Sequence, residues 1–303
     1  MVEVRKVKEN ELESALELLF NDPNSSQTVR QQVDSFKQLA KRENYDLTRQ
    51  FVVTEDAKVI YSCCYLANAG GSATVFSSNP GKLDSAQQIK AVRALRQLRR
   101  WAEHRGSNFL QIYLETDDKA RRDIALRCGF KYLTNLKYLY YMNDTELPKV
   151  DVPQVQWVSY TEDNDQLFKQ VMKATYVDSA DCPELSKYRD MDQTLESHKA
   201  AGEFVPELWR LAYYQGQPVG VLLLSILKDG HTVELTYMGL ERSWRGRGFG
   251  KAILLEALLT ANRLGCYITL AVDKRNIPAD KLYVGMGFKE LFERAIVYYC
   301  TAD

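Results

Sequence analysis

Histidine is scarce in this chain: three stand in 303 residues, at positions 104, 198 and 231. A metal centre built on His is therefore not expected. The six cysteines, at 63, 64, 128, 182, 266 and 300, form no C-x-x-C pair. A chain of this length fills its cores without disulfides, so reduced thiols and a cytoplasmic setting are expected. Net charge is absent too, because 40 Lys+Arg balance 40 Asp+Glu. Duplex-binding domains carry a net basic face, so nucleic acid is not an expected partner, although a local cationic site remains compatible with zero net charge. No apolar run approaches the ~18 residues of a membrane span. The longest, at 219–227, contains Gly220 and Ser225. The opening MVEVRKVKENELES has no apolar stretch of signal-peptide type, and no membrane association is expected.

What is present is a globular composition, 45% apolar and 26% charged, which excludes collagen-like, disordered and coiled-coil classes. The length favours two domains, and an internal repeat supports that count. LRCGFKYL carries Gly129-Phe130, and VGMGFKEL carries Gly287-Phe288, 158 residues later. Before each Gly-Phe comes a short helical stretch, an apolar strand, and a long amphipathic helix closed by Gly106 or Gly265. One element order used twice implies two copies of one fold, expected at 1–145 and 152–303. The polar, Pro-bearing segment 143–153 would be the linker.

The second copy reads as a hairpin of strands at 209–214 and 218–227, a strand at 231–240, a glycine-rich turn, and a helix. Leu254, Ala257, Leu258 and Ala261 fall on one face of that helix. A strand at 267–272, a helix at 278–284 and a strand at 289–299 follow. The first copy reads as strands at 51–54, 59–66 and 73–77, a helix at 85–104 with Ala91, Leu95, Leu98 and Ala102 on one face, a strand at 109–114, a helix at 119–127 and a strand at 131–142. Helices are expected near 163–177 and 191–201. The expected class is α/β (α+β): two tandem domains, each a mixed, mostly antiparallel sheet flanked by helices.

The most informative segment is the turn Arg245-Gly246-Arg247-Gly248-Phe249-Gly250, followed by Lys251. Between a strand and a helix, such a turn can aim successive backbone N–H groups at an anion, aided by the positive end of the helix. Glycine is needed where a side chain would block a phosphate or where φ is positive. Arg245 and Arg247 add positive charge. A sharp turn with no ligand is the alternative. It is neither a P-loop nor a dinucleotide fingerprint, since G-x-x-x-x-G-K-[ST] and G-x-G-x-x-G both fail.

Arg245-x-x-Gly248-x-Gly250 resembles the R/Q-x-x-G-x-G/A turn of the GNAT N-acetyltransferase superfamily. Downstream, Asn276-x-x-Ala279-x-x-Leu282-Tyr283-x-x-x-Gly287-Phe288 resembles its N-x-x-A-x-x-L-Y-x-x-x-G-F segment. The clear likeness covers about residues 207–299. It implies that the 245–250 turn holds the pyrophosphate of acetyl-CoA, that the backbone of 238–240 (Met238, Gly239, Leu240) pairs with the pantetheine arm, that Asn276 bonds the cofactor, and that Tyr283 protonates the departing thiolate. A helical core tyrosine is the alternative for Tyr283. Glu234, between Val233 and Leu235, is the candidate base, since burial raises a carboxyl toward neutrality; an outward-facing strand glutamate is the alternative. Strand alternation puts Glu234 and Thr236 on one face and Tyr237 on the other unless a bulge intervenes.

Acidic side chains before that, Asp178, Asp181 and Glu184, are candidates to receive a cationic amine, with His198 nearby in sequence; ordinary capping acids of a loop are the alternative. No metal is implied. The first copy carries no comparable turn: no glycine lies between Gly81 and Gly106, and Tyr283 and Asn276 fall on Ala125 and Asp118. Its Arg93, Arg96 and Arg100 read as a solvated face. A degenerate first copy beside an active second copy resembles the layout of tandem members such as mycothiol synthase. The reading is an N-acetyltransferase acting by direct attack on a primary amine, monomeric or homodimeric. An acyl-CoA sensor without turnover, or transfer of a longer acyl group, are the alternatives.

Overall fold

A computed structural model describes residues 2–20, 27–42, 44–142 and 146–302. The apolar stripes become helix faces packed on sheets, and the alternating runs become strands. Two compact units result. Unit 1 comprises residues 1–133 and 295–303, and unit 2 residues 134–294.

Unit 1 contains β1 (Val2–Lys6), α1 (Leu12–Leu19), α2 (Val29–Arg42), β2 (Gln50–Glu55), β3 (Lys58–Ala67), β4 (Ser72–Ser77), α3 (Ser85–Glu103), β5 (Phe109–Leu114) and α4 (Lys119–Arg127). Strands β1 to β4 pair antiparallel in order, and β4 joins β5 in parallel over Ser72–Thr74. The stripe Ala91, Leu95, Leu98 and Ala102 is buried against this sheet.

Unit 2 repeats the plan. The chain supplies β6 (Lys131–Tyr141), β7 (Gln156–Ser159), α5 (Asp165–Tyr176), α6 (Met191–Lys199), β8 (Trp209–Tyr214), β9 (Gln217–Ile226), β10 (Thr232–Leu240), α7 (Phe249–Arg263), β11 (Tyr267–Asp273), α8 (Ile277–Gly285) and β12 (Lys289–Cys300). Strands β7 to β10 are antiparallel neighbours, and β10 joins β11 in parallel. Leu254, Ala257, Leu258 and Ala261 of α7 are buried in the main core. A second core, on the opposite face, packs Phe168, Met172 and Leu195 of α5 and α6 against Trp209, Leu211 and Leu223.

The strand after each Gly-Phe is exchanged. Leu136–Tyr141 of β6 pair antiparallel with β11 of unit 2, whereas Ala295–Cys300 of β12 pair antiparallel with β5 of unit 1. Each half of the sequence thus completes the sheet of the other. A division in the linker at 143–153 would part β6 from the sheet it completes, and 143–145 lie outside the described residues. The single halves of the repeat carry no signal for this, because an exchanged strand and a returning one have the same pattern. The short β1 and β7 also escape periodicity, being five and four residues long.

Leu139 of β6 is 1% exposed and packs in the main core of unit 2. Leu139→Ala should cost about 2–5 kcal/mol. The loss should appear as faster hydrogen exchange of α7 and β10 amides, with α3 amides unchanged. Faster exchange in α3 alone would contradict the exchange of strands.

Candidate active site

The site begins with a lost strand pairing. Strands β10 and β11 pair only from Thr232↔Tyr267 to Glu234↔Thr269. Next comes a β-bulge: Leu235 faces Leu224 and Tyr237 faces Leu223, leaving Thr236 without a partner. The extra residue reverses side-chain parity. Tyr237 consequently packs with α5 and α6, while Met238 and Leu240 join the main core. Glu234 and Tyr237 therefore share a face, contrary to the simple alternation expected from sequence. Beyond the bulge the two strands diverge. The Glu241 N–H bonds Val219 O at 3.0 Å, so by alternation Met238 and Leu240 turn their backbone groups away from β9, toward the gap.

A cavity of about 680 Å³ fills the gap. It is lined by 235–240 of β10, by Gly246, Gly248, Gly250 and Lys251, by Ala271 and Val272, and by Asn276, Leu282 and Tyr283. In unit 1 the corresponding divergence of β4 and β5 encloses only about 50 Å³. The two helix starts differ as well. Helix α3 opens with Asp84, whose carboxylate accepts the Gln87 N–H at 2.8 Å while the Gln87 side chain accepts the Asp84 N–H. A carboxylate already occupies that anion position. Helix α7 opens with Gly248 at φ +88° and no side-chain cap.

The turn before α7 has donors to spare. Among the described residues, no acceptor takes the N–H groups of Gly246, Arg247, Gly248, Phe249 or Gly250, whereas Lys251 and Ala252 both bond Gly248 O. A phosphate oxygen matches such a row of free N–H groups at a helix N-terminus. Gly248 is required twice over: its φ is left-handed, and an added Cβ would stand 3.3 Å from Pro153. The side chains of the turn differ from expectation. Arg245 does not point at an anion: its guanidinium donates to the carbonyls of Leu240, Thr175, Val177 and Asp178 at 2.8–3.1 Å. Arg247 lies over the Trp244 ring, 5.4 Å from its centroid, and Phe249 is buried among Tyr214 and Trp244. Lys251 lines the cavity beside the turn, as does Arg245, whose guanidinium is committed to those carbonyls.

Tyr283 is 8% exposed and lines the cavity, and its hydroxyl has no hydrogen-bond partner among the described residues. Burial pushes its pKa up, with the negative charge of Asp181 and the neighbouring Tyr237 adding to the effect. Tyr283 therefore stays protonated at neutral pH. Asn276 caps α8, its Oδ1 accepting the Ala279 N–H at 3.3 Å. Glu234 is partly buried, and burial raises its carboxyl, but it is not among the cavity-lining residues. His198 sits behind Tyr237, stacked at 5.6 Å and in contact with Tyr176 Oη at 3.3 Å. Burial, with Arg189 adding, lowers its pKa to about 4, so it is a neutral packing group outside the cavity lining.

The three acids of the loop after α5 are largely spoken for. Asp178 pairs with Arg242. Glu184 makes a two-pronged pair with Arg275 at 2.5 and 2.9 Å. Neither is a free receptor for an amine. Asp181 lines the cavity, and its Oδ1 accepts the Asp273 N–H at 3.1 Å. Asp273 and Arg275 were not distinguished from their neighbours by sequence. Asp273 is fully buried and accepts from Thr134 Oγ1, from the Cys182 N–H and from Arg275. The spacing D-x-R-N at the end of β11 is the signal that could have found them.

The sequence pattern of the acetyltransferase (GNAT) family matches residues 168–288. Among curated proteins, N-acetylaspartate synthetase of Danio rerio is 31% identical over 86 residues, 27% of this chain and 30% of that protein. Mycothiol acetyltransferase of Thermobifida fusca (strain YX) is 36% identical over 74 residues, 24% of this chain and 23% of that protein. The chain thus spans less than a third of the length of the curated relatives it matches. Among solved structures, a GCN5-related N-acetyltransferase from Sphaerobacter thermophilus superposes with a TM-score of 0.63 at 15% identity, over 99% of this chain and 95% of that one. A putative acetyltransferase from Pyrococcus horikoshii gives 0.51 at 13% identity, over 99% and 89%. Residues 168–288 are thus similar to the acetyltransferase (GNAT) family, and the chain shares the fold of these solved structures.

Burial pushes the Asp273 carboxyl up, but the bonds from Arg275, Thr134 and Cys182 outweigh it and hold the group below its ordinary value of 3.8. A depressed carboxyl contributes stability that is present above the unfolded value and lost as pH falls through the folded one. Asp273→Asn should therefore lower Tm at pH 7 and flatten its fall below about pH 4. An unchanged acid limb would show that Asp273 is not the group responsible.

Proposed function

We propose that unit 2 is an N-acetyltransferase that binds acetyl-CoA in the cavity between β10 and β11 and passes the acetyl group to a primary amine by direct attack. The observation that carries this reading is one cavity lined at one end by the free N–H groups of 246–250 and farther along by an unpartnered tyrosine hydroxyl. The pyrophosphate sits on that row of N–H groups, with Lys251 beside it. The pantetheine arm, which is peptide-like, pairs with the backbone of Met238 and Leu240 as a strand would. Asn276 stands at the cavity wall near the arm.

The chemistry then follows from the groups at the far end. The amine nitrogen attacks the thioester carbon, a C–N bond forms, and the C–S bond breaks. The leaving thiolate takes the Tyr283 proton, and the proton lost by the new amide nitrogen restores the phenol. A tyrosine kept protonated by burial suits that task. Unit 1 has the same divergence of strands but little cavity and a capped helix, and we assign it no cofactor.

Tyr283→Phe should lower kcat by roughly 10²–10⁴ while acetyl-CoA affinity, measured by calorimetric titration, stays within a few-fold. Gly248→Glu should abolish binding, since its side chain and charge would occupy the phosphate position. Undiminished turnover in the first variant would remove Tyr283 from the mechanism. A wild-type protein that binds acetyl-CoA yet releases no thiol with any amine would point to an acyl-CoA sensor.

A further inference from the structure

Resting on the transferase reading of unit 2, we propose that Asp181 receives the acceptor as a cationic ammonium and takes its proton, making it the base of the reaction and fixing the acceptor class as an amine charged in solution. Asp181 is the half-buried carboxylate of the cavity wall. Among the described residues no cation bonds it, whereas Asp178 and Glu184 are each paired with an arginine. One oxygen, Oδ1, is held by the Asp273 N–H, and none of the described residues donates to Oδ2.

The loop that carries it is fixed from several sides. Arg245 grips the carbonyls of Thr175, Val177 and Asp178. The Cys182 N–H bonds Asp273 Oδ2 at 3.1 Å, reciprocating the bond from Asp273 to Asp181. Arg275 clamps Glu184 to Asp273. Cys182 adopts φ +46°, a conformation uncommon for such a residue, which persists where the surroundings over-determine it. Held in this way, Asp181 sits on the cavity wall that also carries Tyr283 and Tyr237.

The charged and titratable surroundings are mixed. Asp273 and Arg275 face Asp181 from the end of β11, Arg189 from the segment before α6, Cys182 from its own loop, Tyr176 from α5, and Tyr237 and Tyr283 from β10 and α8. Burial is the largest influence and raises the Asp181 carboxyl. The Asp273 N–H bond opposes it, the Asp273 charge reinforces it, and the two arginines oppose it. Burial makes this carboxylate a better proton acceptor than an exposed one, and it stands on the wall that also carries the tyrosine acid. The steps balance. One ammonium proton passes to Asp181 and on to solvent, the freed nitrogen attacks, and Tyr283 supplies the sulfur as described above. Net, one proton is released per acetyl group transferred.

The test uses the full chain, with tyramine, spermidine, glucosamine and a peptide with a free α-amine as probe acceptors. Asp181→Asn keeps an oxygen for the Asp273 N–H, so the loop anchor survives, and an unchanged Tm and acetyl-CoA affinity will establish that. With the best amine, wild-type kcat/KM should rise with pH and level off well below the amine's own pKa. Asp181→Asn should lose at least tenfold at pH 7 and rise about one log unit per pH unit up to the amine's pKa, because only free amine then reacts. A plateau retained in Asp181→Asn and lost in Glu234→Gln would overturn the assignment in favour of Glu234. If wild type binds acetyl-CoA but turns over none of the probes, the transferase reading fails. The Asp181 assignment is then judged on amine binding to the CoA-loaded protein, where a tenfold loss in Asp181→Asn supports it and equal affinities overturn it.

Discussion

The cavity of unit 2 exists because a parallel strand pair stops after three residues. Backbone groups in a sheet must find partners, and β10 satisfies only one edge once the bulge at Thr236 turns it from β11. The gap leaves peptide groups of β10 turned to a cavity of mixed polar and apolar lining, with the Leu240 carbonyl held by Arg245, which suits an extended, amide-bearing ligand. The same bulge rotates Tyr237 onto the α5–α6 face and leaves Met238 and Leu240 on the other. One inserted residue thus sets both the opening and the parity of its walls.

Around that opening, charge is spent on holding the backbone. Arg245 satisfies four carbonyls, including three at the end of α5. Arg275 joins a buried aspartate to a loop glutamate. Removing one partner of a buried pair leaves an uncompensated charge, so these contacts are structural even though they stand beside the cavity. Among the described residues, the groups left over for chemistry are few: free N–H donors, Lys251, Tyr283, the half-buried Asp181 and, at the exposed rim, Asp151.

Much of this was legible beforehand. The helix stripes and most strands were readable because burial imposes a period on the residues that face a core. The turn at 245–250 was readable because glycine and position between strand and helix are local properties. Tyr283 was placed by its motif, and the cavity wall holds it. The direction of side chains was not readable. Arg245 and Arg247 were expected to meet an anion, and they meet carbonyls and an indole ring instead. Asp178 and Glu184 were expected to be free, and distant arginines claim them. Such partners lie 64 and 91 residues away in sequence.

By itself the sequence determined the two-copy plan, the elements of each copy, the glycine turn and the absence of such a turn in the first half. These rest on period, spacing and residue type, which are local. Tertiary structure alone decided three things: which sheet each final strand completes, which face Glu234 and Tyr237 share, and which of several acids remains unpaired at the cavity. The reason is common to all three. Strand pairing, the bulge and ion pairing are choices among distant partners of similar chemistry, and only the folded geometry distinguishes one partner from another.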